Sequence, residues 1–143
     1  MGILAERIDW IKRCIDEINS ILNEIQIEDL ISRLRYIAMI LYLLQSSIQA
    51  LIDMGARILS KLGKKPPSSY SMIGEELLSE GIITKEDLYK FKKMIGFRNI
   101  VVHGYLKIDI ERLRKILEEG RHNEIYKIGL KLYEFANKKN LDP

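Results

Sequence analysis

The chain has 143 residues, a length that fits one ordinary domain able to bury its own core. Hydrophobic residues make up 47% and charged residues 30%, with only three prolines, which excludes a disordered or low-complexity chain. The single cysteine, Cys14, excludes a disulfide framework and a multi-cysteine zinc site. The single cysteine also indicates a reducing compartment. The sequence does not open with a basic region followed by a compact apolar run, the pattern of a secretory signal, so we expect a cytoplasmic protein.

The formal net charge of +3 is spread unevenly along the chain. Residues 1–84 hold 9 Lys and Arg against 11 Asp and Glu, whereas residues 85–143 hold 14 against 9. The basic C-terminal part is compatible with an anionic partner, and a solvated surface of mixed charge explains it as well.

Apolar residues in the first half of the chain recur at alternating steps of four and three, the period of a helix buried on one side. The first series is Leu4, Ile8, Ile11, Ile15, Ile18, Leu22 and Ile25. The second is Leu30, Leu34, Ile37, Leu41, Leu44, Ile48, Leu51, Ile58 and Leu62. We expect two long helices, the second being the central element because further apolar residues widen its stripe. Its uncharged stretch 36–52 contains Gln and Ser and falls short of the ~20 residues of a membrane span, so we expect a buried core helix and no membrane.

Local signals predict shorter helices in the second half. Pro66 and Pro67 end the second long helix, because proline cannot continue helical hydrogen bonding. Glycines are expected just past three helix ends, at Gly81, Gly104 and Gly120. Capping residues are expected at three helix starts, namely Thr84 (in a capping box with Asp87), Asp109 and Asn123. The helix that starts after Thr84 is expected to bury Leu88, Phe91, Ile95 and Val102.

No stretch alternates with period two, so the predicted fold class is all-α. We expect an antiparallel helical bundle with two long N-terminal helices followed by three or four shorter ones. It would form a single domain over residues 1–143, with a frayed tail at 138–143.

Several kinds of chemistry are absent from the sequence. There is no glycine-rich phosphate loop and no dinucleotide fingerprint, and two histidines cannot supply a di-iron bundle. We therefore expect no metal site and no cofactor. Cys14 lies on an apolar stripe and is expected to pack rather than react.

One helix end concentrates polar side chains among apolar ones: Arg98, Asn99, His103 and Tyr105. At 100° per residue, Asn99 falls on the apolar stripe with His103 one turn later, so its amide could orient the imidazole. Arg98 lies about 140° from His103, too far round the helix for the two side chains to meet. Either the helix unwinds at Gly104, or a second copy completes the site. In a purely structural interpretation, Arg98 is a surface charge, His103 is satisfied near the helix end, and Tyr105 packs.

The stretch Arg98-Asn99-Ile100-Val101-Val102-His103-Gly104-Tyr105 resembles the R-x4-H-x-Y signature of the HepT toxins, a branch of the all-α HEPN superfamily. The similarity covers approximately residues 5–135. It includes Arg33-Leu34-Arg35-Tyr36, the loop from Pro66 to Tyr70, Gly81-Ile82-Ile83 and Gly96-Phe97-Arg98-Asn99.

The resemblance implies a HEPN-like fold and the toxin of a type VII HepT/MntA toxin–antitoxin system. It implies a metal-independent endoribonuclease in which Arg98 and His103 are catalytic, Asn99 supports them, and the cleft lies at the interface of a homodimer. It implies that an MntA-type nucleotidyltransferase antitoxin uses ATP to transfer AMP to Tyr105 and so silences the toxin. The chain itself would hold no cofactor.

The chemistry agrees with this. Metal-free RNA cleavage needs a base for the 2′-hydroxyl and an acid for the leaving 5′-oxygen, and a dimer brings two copies of His103 into one cleft. Arg98 offers planar donors to phosphate oxygens. Two alternatives stay open at this point: a catalytically silent HEPN module that docks a nucleotidyltransferase or a nucleotide, and a purely structural helical protein that tolerates Arg98→Ala and His103→Ala.

Overall fold

A computed structural model describes residues 2–104 and 107–142. In this part of the chain the secondary structure consists of helices without strands, which confirms the all-α prediction. The α-helices are α1 (Ile3–Glu24), α2 (Ile27–Leu30), α3 (Leu34–Lys61), α4 (Tyr70–Ser79), α5 (Lys85–His103), α6 (Ile110–Glu118) and α7 (Asn123–Lys138). Two long N-terminal helices followed by shorter ones were predicted; the one-turn helix α2 was not.

Helix α3 is the centre of the bundle, as predicted, since it packs against α1, α4, α5 and α7. Among the described residues it is the one helix whose length and composition would allow a membrane crossing, and 44% of its most apolar stretch is buried inside the protein. Helix α1 buries the predicted stripe against α3 and α7. Leu22 is only half-buried, and Ile25 follows the last residue of the helix.

The second apolar series does not form one continuous helix. Leu30 is fully buried but belongs to α2, and an extended residue, Arg33 (φ −119°, ψ 123°), separates it from α3. Leu34, the first residue of α3, is 79% exposed although the periodicity places it on the buried stripe. The prediction was wrong here because the stripe continues through a break in the backbone that periodicity does not detect.

Helix α3 ends before the prolines that were expected to end it. Gly63 adopts a left-handed conformation (φ 79°), and the amide of Lys64 donates to the carbonyl of Leu59 at 3.0 Å. This is the glycine-terminated helix end in which amides beyond the helix donate to carbonyls of its last turn. Gly81 and Gly120 likewise have positive φ values just past α4 and α6, as predicted.

The predicted helix starts are correct at two of three positions. The side chain of Thr84 accepts from the amide of Asp87, and the Asp87 carboxylate accepts from the amide of Thr84, both at 3.1 Å. Asp109 accepts from the first-turn amides of α6. Asn123 is not a cap but the first residue of α7, and its side chain donates to the carbonyl of Gly120 at 3.1 Å.

The end of the described chain returns to the start of α1. The two carboxylate oxygens of Asp142 accept hydrogen bonds from the amides of Leu4 at 3.0 Å and Ala5 at 2.9 Å. Leu141 packs against the core. The prediction of a frayed tail at 138–143 is therefore wrong for Leu141 and Asp142. The Asp142 carboxylate satisfies first-turn amides of α1 that have no partner within the helix.

Candidate functional site

Helix α5 carries the candidate residues, and its first turn is anchored to α7. Asp87, in the capping box, is buried, and its carboxylate accepts from Nζ of Lys131 at 2.6 Å. Burial alone would raise the pKa of Asp87, but the ammonium of Lys131 and the amide of Thr84 hold that pKa below its ordinary value. The capping box and this ion pair fix where α5 begins, and with it the position of every side chain further along the helix.

Arg98 lies half-buried on α5 and has no carboxylate partner among the residues that the structure describes. Its guanidinium carbon is 5.4 Å from the centre of the Tyr70 ring, and Nη1 donates to Oδ1 of Asn99 at 3.2 Å. Its Nε is buried and has no hydrogen-bond partner among the described residues. Arg98 is therefore a partly buried side chain with two side-chain contacts rather than a fully solvated one.

His103 is exposed in the last turn of α5. The helix stays regular up to this residue and ends at Gly104 (φ −130°, ψ 40°), so no unwinding turns the imidazole toward Arg98. Five helical positions place the two residues about 140° apart around the axis and ~7.5 Å apart along it. The fold thus presents Arg98 and His103 on one helix without bringing them together in one chain.

Asn99 does not occupy the position that the periodicity predicted. It is exposed, and its carbonyl oxygen accepts from Arg98 instead of orienting His103. Val102, expected on the buried face, is 39% exposed. The prediction failed because α5 is buried on two sides, through Phe91 and Ile95 on one and Phe97 on the other, so a single stripe does not describe it.

Tyr105, predicted as the AMP acceptor, lies outside the described residues. Within those residues no group of three or more His, Cys, Asp or Glu side chains is placed to hold a metal ion. Cys14 is buried, and burial raises the pKa of its thiol to about 11 despite the charge of Arg13, as expected for a packing residue.

A cavity of about 720 Å³ lies between α5, α6 and the start of α7. Its lining includes Phe97, Arg112 and the buried His122, but neither Arg98 nor His103. The candidate residues therefore do not belong to this cavity.

Comparison with known proteins shows the family. A family model described as "Ribonuclease HepT-like" matches residues 11–128 of the chain. The chain therefore belongs to the HepT-like ribonuclease family, as the R-x4-H-x-Y resemblance predicted. Two relatives from Archaeoglobus fulgidus each carry the name "Putative RNase". One is 25% identical over 93% of this chain and 92% of its own length, and the other is 36% identical over 56% and 60%.

Solved structures share the fold. A toxin–antitoxin complex with AMP-PNP contains a chain that superposes with a TM-score of 0.82 at 21% identity, over 92% of this chain and 98% of that one. A tri-AMPylated Shewanella oneidensis HEPN toxin in complex with an MNT antitoxin gives 0.79 at 22% identity, over 90% and 96%. The Bacillus subtilis cytosolic protein of unknown function YutE gives 0.80 at 15%, over 97% and 95%.

The sequence did not predict the contact between Tyr70 and Arg98. Tyr70 stood out only as the last residue of a loop that resembles HepT proteins, and no spacing rule links it to a residue 28 positions later. Ser69 followed by Tyr70 fits the start of a helix, but nothing in the sequence places this tyrosine opposite Arg98.

Proposed function

We propose that the chain is the toxin of a HepT/MntA-type toxin–antitoxin pair and cleaves RNA without a metal ion, with Arg98 and His103 as its catalytic residues. The observation that carries the proposal is Arg98, a half-buried guanidinium stacked on Tyr70 and free of carboxylates among the described residues, on the same helix as the exposed His103. Membership of a ribonuclease family supports the activity. Fold neighbours that are toxins in complex with antitoxins support the biological role.

The proposed reaction is an attack of the RNA on itself. One His103 imidazole removes the proton of a 2′-hydroxyl, and the 2′-oxygen bonds to the adjacent phosphorus. The bond to the 5′-oxygen breaks, a second imidazole in its protonated form gives that oxygen a proton, and a 2′,3′-cyclic phosphate remains. Arg98 donates in-plane N–H groups to the non-bridging oxygens and stabilises the charge of the transition state.

A homodimer supplies the second imidazole. Each chain has one His103, and Arg98 lies about 140° around the helix from it, so two copies that pair near the end of α5 place both residue types in one cleft. An exposed apolar side chain at this end of α5 supports such pairing: Val102, in the last turn of the helix, is 39% exposed. Asn99, bonded to Arg98 at 3.2 Å, would limit the freedom of the guanidinium.

Tyr105 is the proposed site of control. It lies two residues after His103, so AMP attached to its hydroxyl would add bulk and negative charge beside the cleft and repel RNA. The AMPylated state of the Shewanella oneidensis neighbour supports this role. The partner would be a nucleotidyltransferase antitoxin that uses ATP, the chain itself needing no cofactor. The reducing environment suggested by the free Cys14, together with the cytosolic neighbour YutE, supports a location in the cytoplasm.

The test is cleavage of a labelled RNA in the presence of EDTA by the wild-type chain, Arg98→Ala, His103→Ala and Arg112→Ala. Arg112 is the matched control, because it is also a half-buried arginine over an aromatic ring, 5.7 Å from the centre of Phe97, but lies outside the proposed site. Loss of about 10²–10⁴ in rate for the two site variants, with Arg112→Ala near wild type, is expected for acid–base and charge-stabilising groups.

Equal cleavage by wild type and His103→Ala would refute the catalytic assignment. If neither the wild type nor any variant cleaves RNA, and the wild type still binds the nucleotidyltransferase, the chain is instead a binding module. For Tyr105, mass spectrometry after incubation with the antitoxin and ATP should show added AMP on the wild type and none on Tyr105→Phe, which should remain toxic when the antitoxin is present.

A further inference from the structure

We propose that Tyr70 is a positioning residue that holds Arg98 in its catalytic orientation through the face of its ring. The inference rests on the proposed ribonuclease function and adds a residue to its site. The guanidinium carbon of Arg98 lies 5.4 Å from the ring centre of Tyr70, within the ~6 Å range of a cation–π contact. Tyr70 is 38% exposed, so the stack is at the surface where an RNA phosphate can approach Arg98.

The backbone around Tyr70 is fixed from both directions. Ser69 caps α4 by accepting from the amide of Met72 at 3.3 Å, which makes Tyr70 the first residue of that helix. One turn later, Gly74 lies against α5 so closely that a Cβ atom there would be 2.7 Å from Phe91. Helix α4 is therefore seated on the helix that carries Arg98, and Tyr70 is at the end of α4 that meets the guanidinium.

Arg98 has little else to hold it. The guanidinium makes one side-chain hydrogen bond, to Asn99, which is itself exposed, and its Nε has no partner among the described residues. An arginine side chain has several rotatable bonds and loses much rotamer entropy when it is fixed in one conformation. The Tyr70 ring is thus the main restraint that the described structure provides.

A ring is also the right kind of restraint for this role. A carboxylate partner would occupy the N–H groups in the guanidinium plane and cancel its charge, as the carboxylates of Glu28 and Glu111 do at Arg114. An aromatic face contacts the guanidinium from above and leaves the in-plane donors available to phosphate oxygens. The stack therefore restricts Arg98 without consuming the groups that the proposed reaction needs.

The test compares Tyr70→Phe, which keeps the ring, with Tyr70→Leu, which removes it. We expect Tyr70→Phe to cleave RNA like wild type with the same pH profile, and Tyr70→Leu to lose about 5- to 20-fold in kcat with little change in KM. The matched control is Tyr89→Leu, because Tyr89 is an exposed tyrosine of α5, the helix that carries Arg98, and stacks with Lys93 at 4.8 Å. This substitution should leave cleavage unchanged.

A double-mutant cycle separates positioning from a merely structural effect. If Tyr70 acts through Arg98, Tyr70→Leu should lower the residual rate of Arg98→Ala no further. Wild-type cleavage by Tyr70→Leu, an equal loss in Tyr70→Phe, or a loss that adds to that of Arg98→Ala would each overturn the proposal. Failure of the underlying function is distinguishable, because Arg98→Ala itself would then cleave like wild type.

Discussion

The packing of α4 against α5 can be tested by comparing two single variants, Gly74→Ala and Gly96→Ala. Both make the same chemical change, but only Gly74 lies at the contact between the two helices. A Cβ at Gly74 would lie 2.7 Å from Cδ2 of Phe91 and 2.8 Å from Cδ1 of Leu88, and Phe91 is fully buried. A Cβ at Gly96, inside α5, would meet no atom of the described structure within 4 Å. The two substitutions therefore differ in packing while sharing the same gain in helix preference.

The expected changes in the free energy of unfolding have opposite signs. Overpacking at Gly74 costs about 1–3 kcal/mol, and the helix preference of alanine returns ~1 kcal/mol, so Gly74→Ala should destabilise by up to about 2 kcal/mol. Gly96→Ala has only the second contribution and should stabilise by about 0.5–1 kcal/mol.

Urea denaturation followed by far-UV circular dichroism, at one protein concentration, measures both values. Gly74→Ala should also weaken RNA cleavage, because displacement of α4 moves Tyr70 away from Arg98. A Gly74→Ala variant as stable as Gly96→Ala would refute the close packing of the two helices.

Three further predictions concern contacts outside the site. Asp142→Ala should lower the unfolding free energy by about 1–2 kcal/mol in urea, since two first-turn amides of α1 lose their acceptor; an unchanged value would contradict this capping. Asp87→Ala removes both the capping box and the ion pair with Lys131, and should cost about 2–3 kcal/mol, while an effect below that of Asp142→Ala would be unexpected. Burial lowers the pKa of His122, although a hydrogen bond with the Ile116 carbonyl opposes this shift. The His122 imidazole therefore binds a proton more readily in the unfolded chain than in the folded one. The free energy of unfolding should fall as the pH drops below about 6.5, the ordinary pKa of histidine. His122→Gln should reduce that slope between about pH 7 and pH 5 in thermal melts, and an unaltered slope would show that other groups cause it.

What the sequence predicted correctly depends on short-range rules. The capping box of Thr84 and Asp87 and the left-handed Gly81 and Gly120 are fixed by residues within one helical turn, so the residue types alone indicate them. The long helix α3 was predictable because apolar residues recur at the helical period through nearly all of its 28 residues and leave few alternatives.

What the sequence did not predict depends on packing between distant segments. Asn99 and Val102 were assigned to the buried face because the periodicity of α5 does not reveal that Phe97 is buried on another side. The carboxylate of Asp142 reaches Leu4 across 138 positions, and no local pattern records such a pairing. The stack of Tyr70 on Arg98 likewise exists only once α4 is seated on α5.

At the site, the residue types were predictable and their arrangement was not. The spacing of Arg98 and His103 indicated both the family and the separation of the two side chains around the helix, and the regular helix up to Gly104 removes unwinding as an explanation. Two chains would bring these residues together through a dimer interface. The sequence does not identify which surface of the chain forms that interface.

The most direct test of the central claim is therefore RNA cleavage by mixed dimers. Wild-type and His103→Ala chains, carrying different tags, are co-expressed in equal amounts so that they assort at random, and total cleavage is measured per chain. If one cleft needs the imidazoles of both copies, only the wild-type pairs cleave and activity falls to about one-quarter of the all-wild-type value. Activity of about one-half would show that each chain carries a complete site, which would contradict the composite site that we propose.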